Sequence, residues 1–395
     1  MNISKRIEAM QFSPIRKLVP FAEAVKKQGR KVYHLNIGQP DIETPREFFD
    51  AVKNFDEKVL EYSFSQGIPQ LIDSFIKYYE TFGVQYAKDE ILVTNGGSEA
   101  LFFALVAICD YGDEVIVPEP FYTNYNSFSK SAGVVVVPVA TQASDGFKLP
   151  SIDVLESKVT AKTRAIMLSN PGNPTGAVYS LEDMNKVKAL AVKHDLYIIS
   201  DEVYKEMVYD GLKFTSFSQL DGIDDRVIIT DSISKRYSAC GARIGCIASK
   251  NRELMGQILK LCQGRLCVAT IEQVGAAALS DVPPSYMQNV VKEYEKRRNI
   301  VYNALKQIDG VICEKPKGAF YIIAKLPIAD AGDFCQWLLT DFSVNNATVM
   351  FAPADGFYAT EGLGKDEIRI SYVLEQDALI DAMNILAEAL KVYKK

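Results

Sequence analysis

Residues 164–201, RAIMLSNPGNPTGAVYSLEDMNKVKALAVKHDLYIISD, decide the fold. They hold an apolar run, Arg164–Leu168, a loop rich in Pro and Gly, a segment with helical periodicity, Leu181–His194, and a second apolar run, Leu196–Ser200. Two short apolar runs separated by a helix of this length are typical of neighbouring parallel strands joined by a crossover helix.

The same alternation extends from about residue 90 to residue 250. Five more apolar, β-branched runs are predicted to be strands: Glu90–Asn95, Glu114–Val117, Val134–Val139, Val227–Thr230 and Ile244–Ala248. Together with the first two runs they predict an α/β fold, with a mainly parallel seven-stranded sheet sandwiched by helices. Ligands of such sheets bind at the carboxyl ends of the strands, so chemistry is expected at that edge.

The segment Asp281–Ser285, DVPPS, interrupts this pattern. The sequence after it predicts a long charged helix, two strands near residues 320–324 and 368–372, and two more helices, which together indicate a smaller α+β unit. The predicted division is a large domain over residues 46–282, a small domain formed by residues 13–45 and 285–395 from both chain ends, and an N-terminal arm over residues 1–12.

Composition argues against several classes of function. The 395 residues include 44 basic and 50 acidic side chains, and this net charge of −6 offers no general attraction to nucleic acid or an anionic membrane. No apolar run is long enough to span a bilayer, no signal peptide is visible, and the seven cysteines form neither a disulfide nor a zinc pattern. With only His34 and His194 available, a Ser-His-Asp triad or a His-ligated metal site is not expected. A cytoplasmic protein without a bound metal is predicted.

The segment Asp231–Gly245, DSISKRYSACGARIG, contains a lysine with clear chemical potential. Lys235 follows a predicted strand and therefore lies at the edge where ligands bind. A lysine becomes a nucleophile when burial or nearby cations lower its pKa, and Arg236 and Arg243 are such cations. Taken alone, Lys235 is better interpreted as a solvated loop lysine.

Polar or glycine-rich segments follow three other predicted strands. Asn95–Ala100, NGGSEA, is placed to open a helix, where glycines let backbone N–H groups approach an anion. Tyr122 follows the run Glu114–Pro120. The loop Ser169–Gly176, SNPGNPTG, has two Asn-Pro pairs that restrict its backbone to an extended path. The alternative interpretations are an N-capped turn for Asn95–Ala100, a packing aromatic for Tyr122 and an ordinary turn for Ser169–Gly176.

Two charged residues are placed by strands in the same way. Asp201 ends the run Leu196–Ser200, where it could also cap the next helix. Arg369 lies between Ile368 and Ile370, so its side chain is predicted on the opposite face of that strand. A solvated strand face is the alternative for Arg369.

These segments together resemble the class I/II aminotransferases, the fold-type I enzymes that depend on pyridoxal phosphate (PLP) and include the aspartate aminotransferases. The lysine signature of that family is a serine, two residues, the lysine, and an arginine eight positions on, which Ser232, Lys235 and Arg243 match. The loop at 170–176 matches the family's N-P-x-N-P-T-G sequence. The resemblance runs from about Ile15 to the C-terminus, with every matching segment in family order.

The resemblance implies a role for each matching residue. Lys235 would be the catalytic residue and hold PLP as a Schiff base, and Asp201 would pair with the pyridine nitrogen. Tyr62 would reach the phosphate from the neighbouring subunit, which implies a homodimer with shared active sites. The implied cofactor-binding residues are Gly97, Ser98, Tyr122, Asn173, Asp201, Tyr204, Ser232, Lys235, Arg243 and Tyr62. The implied substrate-binding residues are Gly38, Asn173 and Arg369.

The implied activity is a ping-pong transfer of an amino group from an L-amino acid to a 2-oxo acid. Aspartate with 2-oxoglutarate is the leading pair, and Arg16 is a candidate partner for a side-chain carboxylate. Two alternatives stay open. One is another PLP reaction on the same fold, a carbon–sulfur β-lyase or an ACC-synthase-like (cyclopropane-forming) enzyme, and the other is a non-catalytic aminotransferase-like sensor.

Overall fold

The structure, a computed structural model, describes residues 1–393. The strands are β1 (Lys31–His34), β2 (Ile91–Thr94), β3 (Glu114–Glu119), β4 (Val135–Ala140), β5 (Thr163–Ser169), β6 (Tyr197–Asp201), β7 (Val227–Ser232), β8 (Gly245–Ala248), β9 (Tyr321–Lys325), β10 (Ala347–Met350), β11 (Ala352–Pro353) and β12 (Glu367–Ser371). The helices are α1 (Lys5–Glu8), α2 (Val19–Lys27), α3 (Arg46–Lys53), α4 (Pro69–Glu80), α5 (Gly96–Ile108), α6 (Asn124–Ala132), α7 (Ile152–Glu156), α8 (Leu181–Lys193), α9 (Ile233–Arg236), α10 (Arg252–Arg265), α11 (Thr270–Ala277), α12 (Pro284–Leu305), α13 (Ala331–Thr340) and α14 (Gln376–Val392).

The main sheet has seven strands in the order β2-β8-β7-β6-β5-β3-β4. Strand β8 runs antiparallel to both of its neighbours, and the other pairs are parallel. Each of the seven predicted runs forms one of these strands, which confirms the mainly parallel α/β sheet. The direction of β8 could not be predicted, because a strand covered on both faces reads as a continuous apolar run in either direction.

Two apolar layers cover the faces of this sheet. Successive residues of a strand point to opposite faces. Ile198 accordingly packs in the layer that contains α4 and α8, whereas Ile199 packs in the layer that contains α5 and α10. Both side chains are fully buried, so the sheet is a rigid platform between helices.

A separate apolar cluster lies beside the main sheet. It contains buried residues of α2, α12, α13 and α14, together with β9, β10 and β12. Strand β12 is the centre of an antiparallel sheet with β11 and β9, and β1 pairs in parallel with β10. Chain segments from both ends therefore share one core, while the domain boundaries given above remain a prediction. Within residues 1–393, no helix combines the length and the apolar character needed to cross a membrane.

The sheet brings several chain segments to one edge. Strands β2, β3, β5, β6 and β7 run in the same direction, so their carboxyl ends meet there, and the antiparallel β8 begins there. The ends of these strands and the segments next to them carry the predicted site residues at 97–98, 122, 173, 201, 204, 232, 235 and 243.

Candidate active site

Lys235 lies in α9, a single helical turn that directly follows β7. The hydroxyl of Ser232 caps this turn by accepting the N–H of Ser234. The Lys235 amine is half-buried and donates a hydrogen bond to the Gly38 carbonyl at 2.9 Å. Its nitrogen also lies 3.6 Å from the Cys240 sulfur. The amine is thus held inside the edge of the sheet rather than in open solvent.

Asp201 ends β6 and is only 7% exposed. Its carboxylate accepts hydrogen bonds from the Tyr125 hydroxyl at 2.8 Å and from the Val203 N–H at 3.4 Å. Burial raises the pKa of Asp201 to about 6, against the lowering effect of these hydrogen bonds and of the Lys235 charge. A buried carboxylate held by a phenol and an amide is suited to a cationic ligand, because such a ligand would favour its ionised form.

Arg369 is a buried cation in the middle of β12, 2% exposed. It donates to the Asn173 side-chain oxygen at 3.1 Å and to the Asn36 carbonyl. Its guanidinium carbon lies 4.6 Å from the ring centre of Tyr321 and 4.8 Å from that of Phe357.

The Arg369 guanidinium is incompletely satisfied. Its Nε is buried without a hydrogen-bond partner among residues 1–393, and burial lowers the pKa of the side chain. Neither of its hydrogen bonds goes to a carboxylate. A buried guanidinium of this kind is suited to bind a carboxylate through two parallel hydrogen bonds.

Tyr321 joins the surroundings of Arg369 to the loop that accepts the Lys235 hydrogen bond. A Cβ atom added at Gly38 would collide with the Tyr321 hydroxyl, so only glycine permits this approach. The same hydroxyl lies 2.8 Å from that of Tyr204. Gly38, Tyr204 and Arg369 are therefore packed around one phenol, next to Lys235.

The start of α5 forms a cradle with Ser232 and Arg243. Gly96 has a positive φ of 75°, and a Cβ there would collide with the Arg243 guanidinium. A Cβ on Gly97 would lie 3.8 Å from that of Ser232. Ser98 is half-buried in the first turn of α5, and no side chain among residues 1–393 caps that turn. Free backbone N–H groups, a hydroxyl and a guanidinium together are suited to bind a phosphate dianion.

Tyr122 lies among the charged groups of the site. Burial raises its pKa to about 12, and the charges of Asp201, Arg369 and Arg243 all act on its hydroxyl. Its ring meets Tyr125 edge-on, with the ring centres 5.6 Å apart. Tyr122 thus packs against Tyr125, whose hydroxyl donates to Asp201.

Tyr62 is not brought to this cluster by its own chain. It is 80% exposed, and the neighbouring Val59, Leu60 and Phe64 are also exposed. Arg16 is exposed as well, although the carbonyl of the adjacent Ile15 accepts a hydrogen bond from Asn36.

Four residues of the site were not singled out in the sequence. Tyr125 donates a hydrogen bond to Asp201, and Tyr321 contacts both Tyr204 and Arg369. The ring of Phe357 also packs on the Arg369 guanidinium, and the Asn36 carbonyl accepts a hydrogen bond from Arg369. In the sequence, two of the four could have been suspected because they lie close to a predicted site residue. Tyr125 is three residues after Tyr122, and Asn36 is two residues before Gly38.

These features fit PLP and an amino acid. The carboxylate of Asp201 suits a protonated ring nitrogen, the cradle suits a phosphate, and the amine of Lys235 suits an aldehyde. Arg369 remains for the carboxylate of a substrate.

Comparison with known proteins agrees with this fit. The family described as "Aminotransferase class I and II" matches residues 30–387. The chain is 31% identical to an aspartate aminotransferase of Rhizobium meliloti, over 98% of this chain and 95% of the relative. It is 33% identical to aromatic-amino-acid aminotransferase 2 of Thermococcus litoralis, over the full length of both. The solved aspartate aminotransferase of Thermotoga maritima superposes with a TM-score of 0.90 at 31% identity, covering 98% of this chain and 100% of that one.

Proposed function

Since the chain belongs to the class I and II aminotransferases, which are PLP-dependent transaminases, we propose that it carries PLP on Lys235 and moves the amino group of an L-amino acid to a 2-oxo acid, with aspartate and 2-oxoglutarate as its preferred pair. The observation that carries this proposal is the buried Arg369 cation, which has no anionic partner among residues 1–393 and lies against the Tyr321 ring. Tyr321 in turn lies against Gly38, whose carbonyl accepts the Lys235 amine, and the charge of Lys235 acts on the buried Asp201 carboxylate.

The residues that would hold the cofactor differ in their roles. Asp201 would keep the ring nitrogen protonated, and Asn173 and Tyr204 would bind the phenolic oxygen. The phosphate would be bound by Ser232, Arg243 and the start of α5, the segment that contains Gly97 and Ser98. Tyr122 would stack on the ring. When bound, PLP supplies an electron sink for the negative charge that develops at the substrate Cα.

The chain's own residues would handle the substrate and the proton. Arg369 and Asn173 would hold the α-carboxylate, and Gly38 would lie beside it, where the lack of a side chain admits the Tyr321 hydroxyl. This fixes Cα next to the Lys235 amine, which would remove the Cα proton and return it later in the half-reaction, as base and then as acid. An amino acid and then a 2-oxo acid would use the same site in turn, which predicts ping-pong kinetics.

Aspartate is preferred as donor because several similar proteins are aspartate aminotransferases, although another similar protein acts on aromatic amino acids. The proposed contact for the second carboxylate is Arg16, whose neighbour Ile15 is hydrogen-bonded to Asn36. Asn36 in turn accepts from Arg369. These hydrogen bonds connect the backbone next to Arg16 to the proposed α-carboxylate clamp. The Arg16 side chain would bind the second carboxylate of the substrate from there.

A panel of amino donors with 2-oxoglutarate, scored for glutamate, tests this function. Aspartate is expected to give the highest kcat/KM, and borohydride is expected to abolish the visible absorbance and fix the cofactor to the peptide that contains Lys235. Label on another lysine would overturn the assignment. Loss of a β-substituent, without a stable amine form of the cofactor after an amino acid is added, would favour the lyase or ACC-synthase-like reaction. Absence of any turnover would favour a sensor.

A homodimer is proposed from the exposed apolar segment around Tyr62. Val59, Leu60, Tyr62 and Phe64 are 59–80% exposed, and exposed apolar side chains that cluster in this way are typical of interfaces. A second copy would cover them and place Tyr62 at the phosphate of its partner.

Replacing Tyr62 with alanine is expected to weaken PLP binding about tenfold, as loss of one hydrogen bond to a charged group would. The measurement is fluorescence titration of the apoenzyme with PLP, alongside sedimentation of the wild-type dimer. The control is Tyr111→Ala, because Tyr111 is also 80% exposed but precedes β3 at the opposite edge of the sheet. Equal PLP affinities of the two variants would contradict the proposed role of Tyr62.

A further inference from the structure

Behind the candidate site lies a group of four buried charged residues, here called the rear cluster. Its members are 0–3% exposed. Each is the direct chain neighbour of a proposed cofactor-binding residue: Glu202 follows Asp201, Lys205 follows Tyr204, Asp231 precedes Ser232, and Arg236 follows Lys235. Such buried charges are costly unless paired, so their placement calls for an explanation beyond packing.

One carboxylate joins the three segments that carry the site. Asp231 accepts from Arg236 Nη1 with both oxygens, each at 2.9 Å. It also accepts the Lys205 amine at 2.7 Å and the backbone N–H of Ser232 at 2.7 Å. The end of β7, the turn α9 and the turn after β6 are thereby bonded to the same two oxygen atoms. A further hydrogen bond comes from the Tyr79 hydroxyl at 3.3 Å.

Aromatic rings enclose the two cations. The Lys205 nitrogen lies 3.9 Å from the ring centre of Tyr79, and the Arg236 guanidinium carbon lies 4.0 Å from that of Tyr78. Such ring faces attract cations and keep water away from them. The ion pairs therefore lie where charge interactions are weakly screened.

Glu202 completes the cluster on the side of Asp201. One of its carboxylate oxygens accepts hydrogen bonds from the hydroxyls of Ser200 and Ser216 at 3.1 and 2.7 Å. Burial raises the pKa of Glu202 to about 7, although the charge of Lys205 acts to lower it. Burial is the main cause that raises the pKa of Asp201, and the charge of Asp231 adds to it, so this member of the cluster acts on the site.

From this geometry we propose that the rear cluster is a positioning layer, which binds the turn after β6, the end of β7 and α9 into one unit and so fixes the Lys235 amine relative to the Asp201 carboxylate. The inference rests on the proposed function, because it assigns to Lys235 and Asp201 the two ends of one cofactor. Buried ion pairs add little net stability, since desolvation offsets their attraction. Displacement of a reacting group by about 1 Å can by contrast cost about 100-fold in rate.

Two single variants and a matched control test the proposal in the PLP-loaded enzyme. Asp231→Asn and Lys205→Met are each expected to lower kcat at least about tenfold while KM changes less than about threefold, since the substrate clamp is untouched. The pH titration of the visible band is expected to shift by about 0.5 unit or more, downward for Asp231→Asn and upward for Lys205→Met, because opposite charges are removed. The control is Asp210→Asn, which removes one of the two carboxylate partners of the buried Arg298 on α12, outside the rear cluster. It is expected to lower the melting temperature without moving kcat or the titration.

A triple variant, Lys205→Met with Asp231→Leu and Arg236→Met, separates positioning from stability. It removes the charges of these three residues of the rear cluster together. The variant is expected to fold as well as the wild type but to have the same lowered kcat as the single variants. Arg236→Lys keeps the charge and the fold but loses the planar fork, and is expected to lower kcat about threefold. Wild-type kcat and titration in these two variants would overturn the inference alone. Absence of the visible band in the wild-type enzyme would overturn the proposed function and this inference with it.

Discussion

Replacing Lys235 with alanine is expected to lower kcat about 10,000-fold and to abolish the pH-dependent visible band of the bound cofactor. The substitution removes both the group that would link PLP to the chain and the group that would move the Cα proton, and proton transfer by a positioned side chain alone contributes about 100- to 10,000-fold. The amine is already held within the site through the Gly38 carbonyl at 2.9 Å. The measurement is a single-turnover reaction of the PLP-loaded variant with aspartate.

A small soluble amine provides the control for this prediction. Added methylamine is expected to restore part of the Lys235→Ala rate, because it can enter the space left by the side chain and accept the proton. Cys240→Ala removes the other neighbour of the Lys235 nitrogen, at 3.6 Å, without removing the amine. That variant is expected to stay within about threefold of the wild type. A Lys235→Ala enzyme with wild-type turnover would contradict the assigned role, whatever its effect on stability.

Most strands of the main sheet were predictable from sequence because they are buried on both faces, whereas the partly exposed strand β4 was recognised from its β-branched run. Strands such as β7 and β8, whose residues are all buried, appear as continuous apolar runs, and all seven were recognised. Strand β10 was not predicted. It has only four residues and pairs with β1, more than 300 residues away in the chain, so neither its length nor its local pattern distinguishes it.

The candidate site was predictable where a motif fixed both the residue type and its spacing. Asn173 and Arg369 were named from separate segments, and a hydrogen bond at 3.1 Å joins them across 196 residues. Tyr125 and Tyr321 were missed because a buried tyrosine reads like any packing aromatic in sequence. Their importance lies in contacts with Asp201 and Tyr204, which are 76 and 117 residues away respectively.

The rear cluster shows a second limit of sequence patterns. A charged residue next to a site residue is ordinarily read as solvated, and Arg236 was considered only as a neighbour of Lys235. Its burial follows from the short turn α9, which directs Lys235 toward Gly38 and Arg236 toward Asp231. One helical turn thus directs Lys235 into the candidate site and the adjacent Arg236 into the rear cluster. Only the tertiary structure can show this difference.

Replacing Arg369 with lysine is expected to lower kcat/KM about 100-fold for aspartate and by a similar factor for 2-oxoglutarate. Lysine keeps the charge but not the planar fork that binds a carboxylate through two hydrogen bonds, so orientation is lost more than attraction. Its shorter reach also withdraws a donor from Asn173 and from the Asn36 carbonyl, which hold the guanidinium in β12. Steady-state kinetics with each substrate varied in turn is the measurement.

The two substrates test whether Arg369 binds a carboxylate rather than the amine. Both carry an α-carboxylate and a side-chain carboxylate, whereas only the amino acid carries the amine, so a clamp on a shared carboxylate must affect both halves of the ping-pong cycle. Arg30→Lys is the control, since Arg30 is half-buried and donates to the carbonyls of Leu339 and Phe342 rather than toward the site. It is expected to leave both kcat/KM values within about threefold. If the Arg369→Lys enzyme lost kcat/KM for only one substrate, the guanidinium would bind a group other than a carboxylate that both substrates share.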